Sequence, residues 1–263
     1  MKVISLGWGV QSWTLAAMVA EGELPMVDYA VHADTTHEAA GTYSHAKKWT
    51  PWLEEHGVKV VTVMANRPDV VREDWGSSGS VLIPAFSLET PLLKGDGRGQ
   101  VRRQCTHDWK IMPIRRFIRT LLPNPKPNDV ESWLGISFDE WQRMRASDVA
   151  YITNVYPLVD RRITREGCVA WLQAHGLDVP PKSACTFCPY HSLGQWKRLK
   201  QQGGPDWERA VAVDEAIRNK RPNFTLFVHP ARKPLAEAVR IPEDVGATQL
   251  ELEIPCDGGV CFV

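Results

Sequence analysis

The sequence lacks an excess of charge of either sign. Its 263 residues carry 31 lysines and arginines against 31 aspartates and glutamates. A balanced chain has no overall field that would attract nucleic acid or an anionic membrane surface, so any basic binding site has to be local. Hydrophobic residues make up 43% of the chain and charged residues 24%, as in an ordinary globular protein.

Long apolar runs are also missing. No segment approaches the roughly 18 consecutive apolar residues that indicate a membrane-spanning helix. The first residues predict a strand and show no basic stretch followed by a long apolar one, so we expect a cytoplasmic protein that has no membrane partner. The six cysteines are then expected to be reduced thiols, metal ligands or catalytic groups rather than structural disulfides.

The first 63 residues alternate strand-like and helix-like segments. Residues 3–4, 27–31 and 58–63 are short β-branched runs typical of buried parallel strands. A helix is predicted after Ser12, and residues 40–56 have helical length and end before Gly57. This order predicts an α/β fold with a doubly wound parallel sheet. We assign residues 1–150 to this nucleotide-binding core and 151–263 to a helical, cysteine-bearing C-terminal part packed on the same domain.

The remaining segments complete the expected fold. Residues 76–104 are rich in glycine and serine and have little periodicity, which predicts a long mobile loop that covers the site. A core strand is expected at residues 132–137. Helices are predicted at residues 112–122, 164–175, 192–201 and 207–219.

The stretch SLGWGVQSW, residues 5–13, joins the first strand to the first helix. It has no Walker-type lysine, but Gly7 and Gly9 let backbone N–H groups point at an anion beside the positive end of the helix dipole. The alternative is a tight turn capped by Ser12. The next strand is followed by Asp34 and Thr35, whose oxygens are expected at the same edge of the sheet, where a ribose, a base or a bound magnesium ion would lie.

The cysteines form two further patterns. Cys185 and Cys188 form a CxxC motif, which ligates a metal through two thiolates or acts as a redox pair. A zinc knuckle usually needs a second pair of ligands, and there is no second CxxC. Cys105 offers a third thiolate, so the alternatives are an iron–sulfur cluster, zinc completed by His107 or His191, and buried reduced thiols. Cys168 lies in a predicted helix and is expected in the core.

Six segments, in order, carry a resemblance to a known superfamily. They are SLGWGVQS, HADTTHEAAGTY, CTHDWKIMPIRRFIR, LGISFDEWQRM, YPLVDRRITREGCVAWLQAHGL and CTFCPYHS. Together they resemble the adenine nucleotide alpha hydrolase-like proteins, which include PAPS reductases, PP-loop ATP pyrophosphatases and the DNA phosphorothioation ATPase. The resemblance is greatest to phage-type, PAPS reductase-like members, and it implies a Rossmann-like fold of that type with a C-terminal extension that bears the CxxC motif.

The resemblance also implies which residues bind the nucleotide. The PP-loop pattern Ser-Gly-Gly-x-Asp-Ser, aligned at Ser12, matches Gly9 and Ser12, while Trp8 replaces a glycine and Gln11 replaces the aspartate. We expect Trp8 to narrow the phosphate cradle or to stack on a bound base. The full set of expected nucleotide-binding residues is Ser5, Gly7, Trp8, Gly9, Gln11, Ser12, Asp34, Thr35, Arg102, Arg103 and Lys110.

The function implied by the resemblance is an enzyme of sulfur chemistry that uses ATP or another adenine nucleotide such as PAPS. It would activate a substrate by adenylation and transfer sulfur with a 4Fe-4S cluster held by Cys105, Cys185 and Cys188, with Mg²⁺ as a further candidate cofactor. The expected sulfur acceptor is a nucleic acid or a small molecule, and thioredoxin or a cysteine desulfurase is a candidate protein partner. Asp139 and Arg143 match charged positions after the corresponding strand and are expected to be catalytic.

Two alternatives remain at the level of sequence. The first is reduction of PAPS or adenylylsulfate to sulfite, with Cys256 or Cys261 in the segment CDGGVC as the nucleophile. The second is a non-catalytic, zinc-stapled module that binds nucleotide or nucleic acid, which the departures at Trp8 and Gln11 favour.

Overall fold

The computed structural model describes residues 1–72, 80–89 and 97–240. Two compact units are formed, the first from residues 1–68 and 106–184 and the second from residues 69–105 together with those that follow residue 184. The expected division at residue 150 stays a prediction. Cys256 and Cys261 lie outside the described residues, as do parts of the predicted loop at 76–104.

The described residues form short strands and helices that alternate in the first unit. The strands are β1 (Lys2–Ser5), β2 (Tyr29–Asp34), β3 (Val60–Met64), β4 (Val71–Arg72), β5 (Ser80–Val81), β6 (Phe86–Glu89), β7 (Arg98–Gln100), β8 (Val130–Leu134), β9 (Ile152–Val155) and β10 (Phe224–Phe227). The helices are α1 (Val10–Ala20), α2 (Ala40–Glu55), α3 (Met112–Leu121), α4 (Pro157–Asp160), α5 (Arg165–Ala174), α6 (Leu193–Gln202), α7 (Gly204–Ile217) and α8 (Leu235–Ala238). A π-helical turn, His107–Ile111, precedes α3, and a 3-10 turn, Phe138–Arg143, follows β8.

A five-stranded sheet forms the centre of the first unit. Its strand order is β3-β2-β1-β8-β9, and all four pairings are parallel. The prediction of an α/β fold with a doubly wound parallel sheet is therefore confirmed. Since the chain runs outward from β1 to β3 on one side and continues with β8 on the other, the switch in strand order lies between β1 and β8, where open α/β sheets bind ligands.

The two faces of this sheet carry different cores. On one face, Ile4 of β1 packs with the buried sides of α1, α2 and α5, including Trp13, Leu53 and Leu172. On the other face, Val3 of β1 packs with Ile118 of α3 and with apolar residues of β8 and β9. Consecutive strand residues point to opposite faces, so each strand of this buried sheet contributes to both cores.

Most predicted elements are present with shifted ends. The strand expected at 27–31 is β2 at Tyr29–Asp34, and the helix expected after Ser12 already begins at Val10. The helix expected at 40–56 is α2, and Gly57 follows it with φ of +83°, in the left-handed region that favours glycine after a helix. Ends shift because capping and pairing in the folded chain decide them.

The second unit contains a three-stranded antiparallel sheet of order β10-β6-β7. The prediction of a loop over 76–104 is therefore wrong for residues 80–89 and 97–104, which contribute strands β5, β6 and β7. Strand β6 pairs with β10, far along the sequence, so no local pattern indicates it. Buried Asp214 of α7 accepts hydrogen bonds from the backbone N–H groups of Val228 (2.9 Å) and Leu235 (3.0 Å) and holds the end of β10 and the start of α8.

No helix in the described parts of the chain has both the length and the apolar content needed to cross a membrane.

Candidate functional site

The turn between β1 and α1 lies at the carboxyl edge of the sheet. The Gly7 N–H donates to the Ser12 hydroxyl oxygen (3.1 Å), and that hydroxyl donates to the Gly9 carbonyl (3.3 Å). Gly9 is the N-cap of α1, and within the described residues no side chain caps this helix end. The helix start therefore presents its first N–H groups to the crevice without a capping side chain, which suits an anion.

Trp8 occupies the turn in an unusual backbone conformation. Its φ is +56°, in the left-handed region, which costs a residue with a Cβ about 1–2 kcal/mol. The indole is 1% exposed and lies 5.9 Å, between ring centroids, from both Trp13 and His45. Burial of this large ring offsets the backbone strain. The expectation that Trp8 stacks on a bound base is therefore wrong, because its side chain belongs to the core, although its backbone stays part of the predicted phosphate cradle.

His45 of α2 extends the aromatic cluster beneath the turn. Its ring packs edge-on against Trp13, with 5.3 Å between centroids. Burial lowers the pKa of His45 to about 4. Its Nε2 is buried and has no hydrogen-bond partner among the described residues. Burial also lowers the pKa of His32, whose Nδ1 lies 3.0 Å from the Leu6 carbonyl oxygen. Both histidines are therefore neutral near pH 7.

The end of β2 forms a second strained turn at the same sheet edge. One carboxylate oxygen of Asp34 accepts hydrogen bonds from the Thr36 N–H and the Tyr43 hydroxyl, both at 2.7 Å. Thr36 has a φ of +62°, which is a true outlier for a β-branched residue. Burial, together with the bond to Asp34, raises the pKa of Tyr43 above its usual value. Strained residues that are held by a local network are frequent at functional sites.

Glu38 supplies a buried carboxylate next to these turns. Its side chain is 1% exposed, and Lys110 Nζ lies 3.0 Å from Oε1. The Thr35 hydroxyl lies 3.5 Å from the same oxygen, and the Ser183 hydroxyl lies 3.4 Å from Oε2. Ser183 also donates to the Gly7 carbonyl at 2.6 Å. Ser183 thus links Glu38 and Lys110 to the turn after β1.

Lys110 was predicted from the sequence, whereas Glu38 and Ser183 were not. Glu38 belongs to the segment that follows β2, so its position at the sheet edge was available as a signal. Ser183 lies 176 residues from Gly7 along the chain, and nothing local marks it. Lys110 lies in the π-helical turn, a type of irregularity that is frequent at functional sites.

Gln11 connects α1 to a network of charged side chains. Its Oε1 accepts a hydrogen bond from Arg165 Nη1 (2.9 Å), and its Nε2 donates to Glu140 Oε2 (2.8 Å). The same Glu140 oxygen accepts from Arg143 Nη1 at 2.7 Å. An aspartate at position 11 would have no donor for Glu140 and would bring two carboxylates together. The amide is therefore matched to Glu140, which explains why Gln11 is compatible with this turn.

Two predicted catalytic residues surround this network. Asp139 Oδ1 accepts the backbone N–H of Arg165 at 2.9 Å, where α5 begins. Arg143 forms an ion pair with Glu140. These contacts give both residues a role in holding the network, and their catalytic role stays a prediction. Arg165, which the sequence did not indicate, contacts Gln11 across 154 residues of chain.

Gly135, one residue after β8, touches the start of α1. A Cβ at this position would lie 2.6 Å from the Ser12 backbone nitrogen and 2.7 Å from the Ser12 Cα. Real Cβ atoms essentially never approach so closely. Glycine is therefore required here so that the loop after β8 can lie against the turn after β1.

A cavity of about 110 Å³ lies on the α3 side of the sheet, and we call it the sheet cavity. Ser5, at the end of β1, forms part of its wall. The lining residues are Ser5, Thr106, Lys110, Ile111, Ile114, Arg115, Ile118, Ser132, Leu134, Ala146, Ser147, Asp148, Ile152 and Asn154.

The predicted cysteine ligands lie in the second unit. Cys105, Cys185 and Cys188 are all partly buried there. The Cys188 N–H donates to the Cys185 carbonyl at 3.0 Å, which closes the CxxC turn, and His191 Nε2 lies 3.0 Å from the same carbonyl oxygen.

Thiolate donors suit iron or zinc, but the described residues contain no group of three or more His, Cys, Asp or Glu side chains arranged to hold a metal ion. The CxxC pair alone fits a metal, and the three-cysteine site stays a prediction. Cys168 is fully buried, and burial raises its pKa to about 11, so its predicted place in the core is confirmed.

The predicted basic residues divide between the two units. Arg102 is exposed in the second unit, and the Arg103 guanidinium lies 5.7 Å from the centroid of the Tyr190 ring. Lys110 belongs to the first unit, with Arg115, which forms an ion pair with Asp148.

No protein-family model and no curated protein matches the sequence. Among solved structures, the chain is similar to phosphoadenylyl-sulfate (PAPS) reductase from Candida auris in a phosphate complex, at 12% identity and a TM-score of 0.41, covering 67% of this chain and 73% of that chain. It is also similar to the U34-tRNA thiolase NcsA from Methanococcus maripaludis with its 4Fe-4S cluster, at 13% identity and a TM-score of 0.40, covering 82% of this chain and 71% of that chain.

Likeness at this level assigns no residue and no reaction. The fold class rests on the strands themselves, because five parallel strands in the order β3-β2-β1-β8-β9 define it. The first unit is therefore a Rossmann-like α/β fold, the class implied by the resemblance to adenine nucleotide alpha hydrolase-like proteins.

Proposed function

We propose that this chain is an adenine-nucleotide-dependent enzyme of sulfur chemistry that activates its substrate by adenylation. The observation that carries the proposal is the turn after β1, where α1 starts at Gly9 with no capping side chain among the described residues, at the switch in strand order. Helix starts in this position bind phosphate groups in α/β proteins. The motif resemblance over residues 5–12 supports a nucleotide as the anion.

In the proposed reaction, an oxygen of the acceptor attacks the α-phosphorus of ATP. The bond from that phosphorus to the bridging oxygen breaks, and pyrophosphate leaves with the bond's electrons. The N–H groups at the start of α1 hold the leaving pyrophosphate. Lys110, which Glu38 holds at 3.0 Å, supplies a positive charge at the same sheet edge. A bound Mg²⁺ would supply further charge neutralisation on the phosphates.

Asp34 and Thr35 are proposed to position the nucleotide through the backbone of their turn. The Asp34 carboxylate already accepts two hydrogen bonds, and Thr35 is fully buried. Their side chains therefore shape the turn rather than offer themselves to a ligand. Gln11, held between Arg165 and Glu140, fixes the first turn of α1 in the orientation that faces the phosphates.

Release of pyrophosphate from ATP tests the proposed reaction. The full chain should bind ATP and release pyrophosphate once an acceptor is supplied, and Gln11→Leu should lower that rate at least about tenfold because it removes both polar contacts of the side chain. Val169→Ala on α5 is the matched control, since it alters the same pair of helices without touching the turn.

Release of sulfite from PAPS in the presence of thioredoxin, with no pyrophosphate from ATP, would replace the proposal by the reductase alternative. In that case Cys256→Ser or Cys261→Ser should abolish sulfite release. Failure to bind any adenine nucleotide would contradict both enzymatic proposals.

The sulfur step is proposed to use a 4Fe-4S cluster on Cys105, Cys185 and Cys188. The support is that all three thiols belong to one compact unit and that thiolates are the ligands such clusters prefer. When bound, the cluster would supply an iron site for sulfur. Protein purified without oxygen should be brown, and Cys185→Ala should lose the colour and the iron, whereas Cys168→Ala should keep both. A colourless protein with one zinc per chain would contradict the cluster.

A further inference from the structure

The sheet cavity breaks the pattern of a buried parallel strand. Near the amino ends of the strands, this face is wholly apolar, with Val3, Val130 and Ile152 packed against Ile118. Towards the carboxyl ends it carries small polar residues, in register across neighbouring strands: Ser132 is paired with Asn154, and Ser5 with Leu134. Strands that are covered on both faces are normally continuous apolar runs, so polar residues at these positions need a separate reason.

The charges at the rim of this cavity are balanced. Lys110 forms an ion pair with Glu38, and Arg115 forms one with Asp148. Each cation therefore already has a carboxylate partner. A cavity built for an anion would instead hold its cations for the ligand. The balance favours an uncharged ligand that accepts hydrogen bonds from the cations and donates to carboxylate and hydroxyl oxygens.

The size and the walls of the cavity narrow the class of ligand. Isoleucines 111, 114 and 118 line it together with Leu134. A volume of about 110 Å³ is of the order of an apolar protein cavity of about 150 Å³ that holds one benzene molecule. The ligand is therefore a single ring. The serines and Asn154, whose amide donates to the Arg145 carbonyl at 2.9 Å, call for polar groups on the edge of that ring.

We propose that the sheet cavity binds the acceptor of the reaction through one uncharged heterocyclic ring that carries carbonyl and N–H groups. The inference rests on the proposed function, because Ser5 lines the cavity and is the residue from which the phosphate turn begins. A ring held there lies beside the phosphates of a nucleotide bound at that turn. The nucleotide itself is not the occupant of the cavity.

Uracil serves as the probe, since it is one uncharged ring with two carbonyl and two N–H groups. We expect the full chain to bind uracil with a dissociation constant of about 1 mM or lower, as fits a ligand of this size. Benzoate, an anionic ring of similar size, should bind at least about tenfold more weakly. Isothermal titration calorimetry measures both, and NMR shifts of the Ser5 and Ser132 amides on addition of uracil locate the site without any substitution.

Two substitutions fill the cavity from neighbouring strands. Ser132→Leu and Asn154→Leu should each weaken uracil binding at least about tenfold while ATP binding stays within about twofold of the unchanged protein. Thr153→Leu is the matched control, because Thr153 neighbours Asn154 on β9 and is exposed. It should leave uracil binding unchanged. If either cavity variant fails to fold, the other variant and the NMR shifts still decide.

The outcomes separate the cavity from the nucleotide site. Absence of uracil binding, benzoate binding tighter than uracil, or shifts confined to other amides would overturn the inference while ATP binding leaves the proposed function intact. Loss of ATP binding in both cavity variants would show that the nucleotide occupies the cavity and would also overturn it. Uracil binding without any ATP binding would contradict the proposed function and leave the cavity as a ring-binding site.

Discussion

The two faces of the central sheet differ in how they are filled. The face that meets α1, α2 and α5 is closed by aromatic rings, and Trp8 and Trp13 are both at most 1% exposed there. The face that meets α3 contains the sheet cavity, with Ser5 and Ser132 in its wall. The same strands form both faces. The comparison teaches that β1 is held rigidly on one side of the phosphate turn while room is left on the other.

Dense packing below the turn has a direct use for an anion site. Trp8 keeps a left-handed backbone only because its ring is fixed among Trp13, His32 and His45. A turn that is held in this way needs no reorganisation when a ligand binds, which favours binding and catalysis. The open face imposes no such constraint, so substitutions on the two faces should differ sharply.

Trp13→Ala tests the packed face and should have the largest effect. The ring is fully buried, and its Nε1 donates to the Asp178 carbonyl at 3.1 Å. Truncation should lower the free energy of unfolding by about 4 kcal/mol, as other buried aromatic-to-alanine changes do. Urea denaturation followed by circular dichroism measures it. Trp13→Phe is the control and should cost less than half as much, and a loss below about 1 kcal/mol for Trp13→Ala would contradict close packing on this face.

Acidification tests the same face through His45. The folded-state pKa is about 4 and the ordinary value is 6.5, so the unfolded chain binds the proton first as the pH falls. The contribution of His45 is fully present above pH 6.5 and is lost between pH 6.5 and about 4, a decrease on the order of 3 kcal/mol in the free energy of unfolding.

Denaturation curves at several pH values measure this slope. His45→Phe should reduce the slope between pH 6.5 and 4, while the lowered pKa of His32 leaves a remainder of the same sign. An unchanged slope in His45→Phe would show that His45 is protonated without cost, and therefore that it lies outside the packed cluster.

Gly135→Ala tests the edge at which the faces meet. The added Cβ would lie 2.6 Å from the Ser12 nitrogen, so the backbone of one of the two loops has to shift. We expect a loss of about 2 kcal/mol in the free energy of unfolding and weaker ATP binding. Calorimetry measures both quantities. Gly194→Ala, where the nearest atom to the added Cβ is 3.9 Å away on the Arg198 side chain, is the control and should change neither.

Ser132→Ala tests the open face and should have the smallest effect. The side chain lines the cavity, and removing its hydroxyl leaves the apolar walls in place. The free energy of unfolding should change by less than about 0.5 kcal/mol in either direction. A large loss, measured in the same denaturation experiment, would mean that the serine is packed as tightly as the tryptophans and would remove the contrast between the faces.

Local patterns in the sequence predicted much of the first unit. Alternating β-branched runs and helical segments indicated β1, β2, β3 and the helices between them, and the glycine turn placed Gly9 and Ser12 at the strand end. These features are local, because strand, turn and helix propensities depend on near neighbours. The same approach missed β6 and β7, whose sheet depends on pairing between β6 and the distant β10.

The candidate site shows the same division. Lys110 could be predicted from its basic neighbourhood, but its partner Glu38 and the link through Ser183 depend on side chains from three separate segments. Trp8 was placed against a ligand because it lies in the turn, and only the packed structure turned it into the core.

By itself the sequence determined the class of fold, the location of the phosphate turn and the spacing of the cysteines, because each is written in residues that are adjacent along the chain. Tertiary structure alone decided which side of Trp8 is covered, which carboxylate neutralises Lys110 and where a cavity remains between the sheet and α3. Those outcomes depend on atoms brought together from distant segments, and their energies come from burial and contact, which no single segment contains.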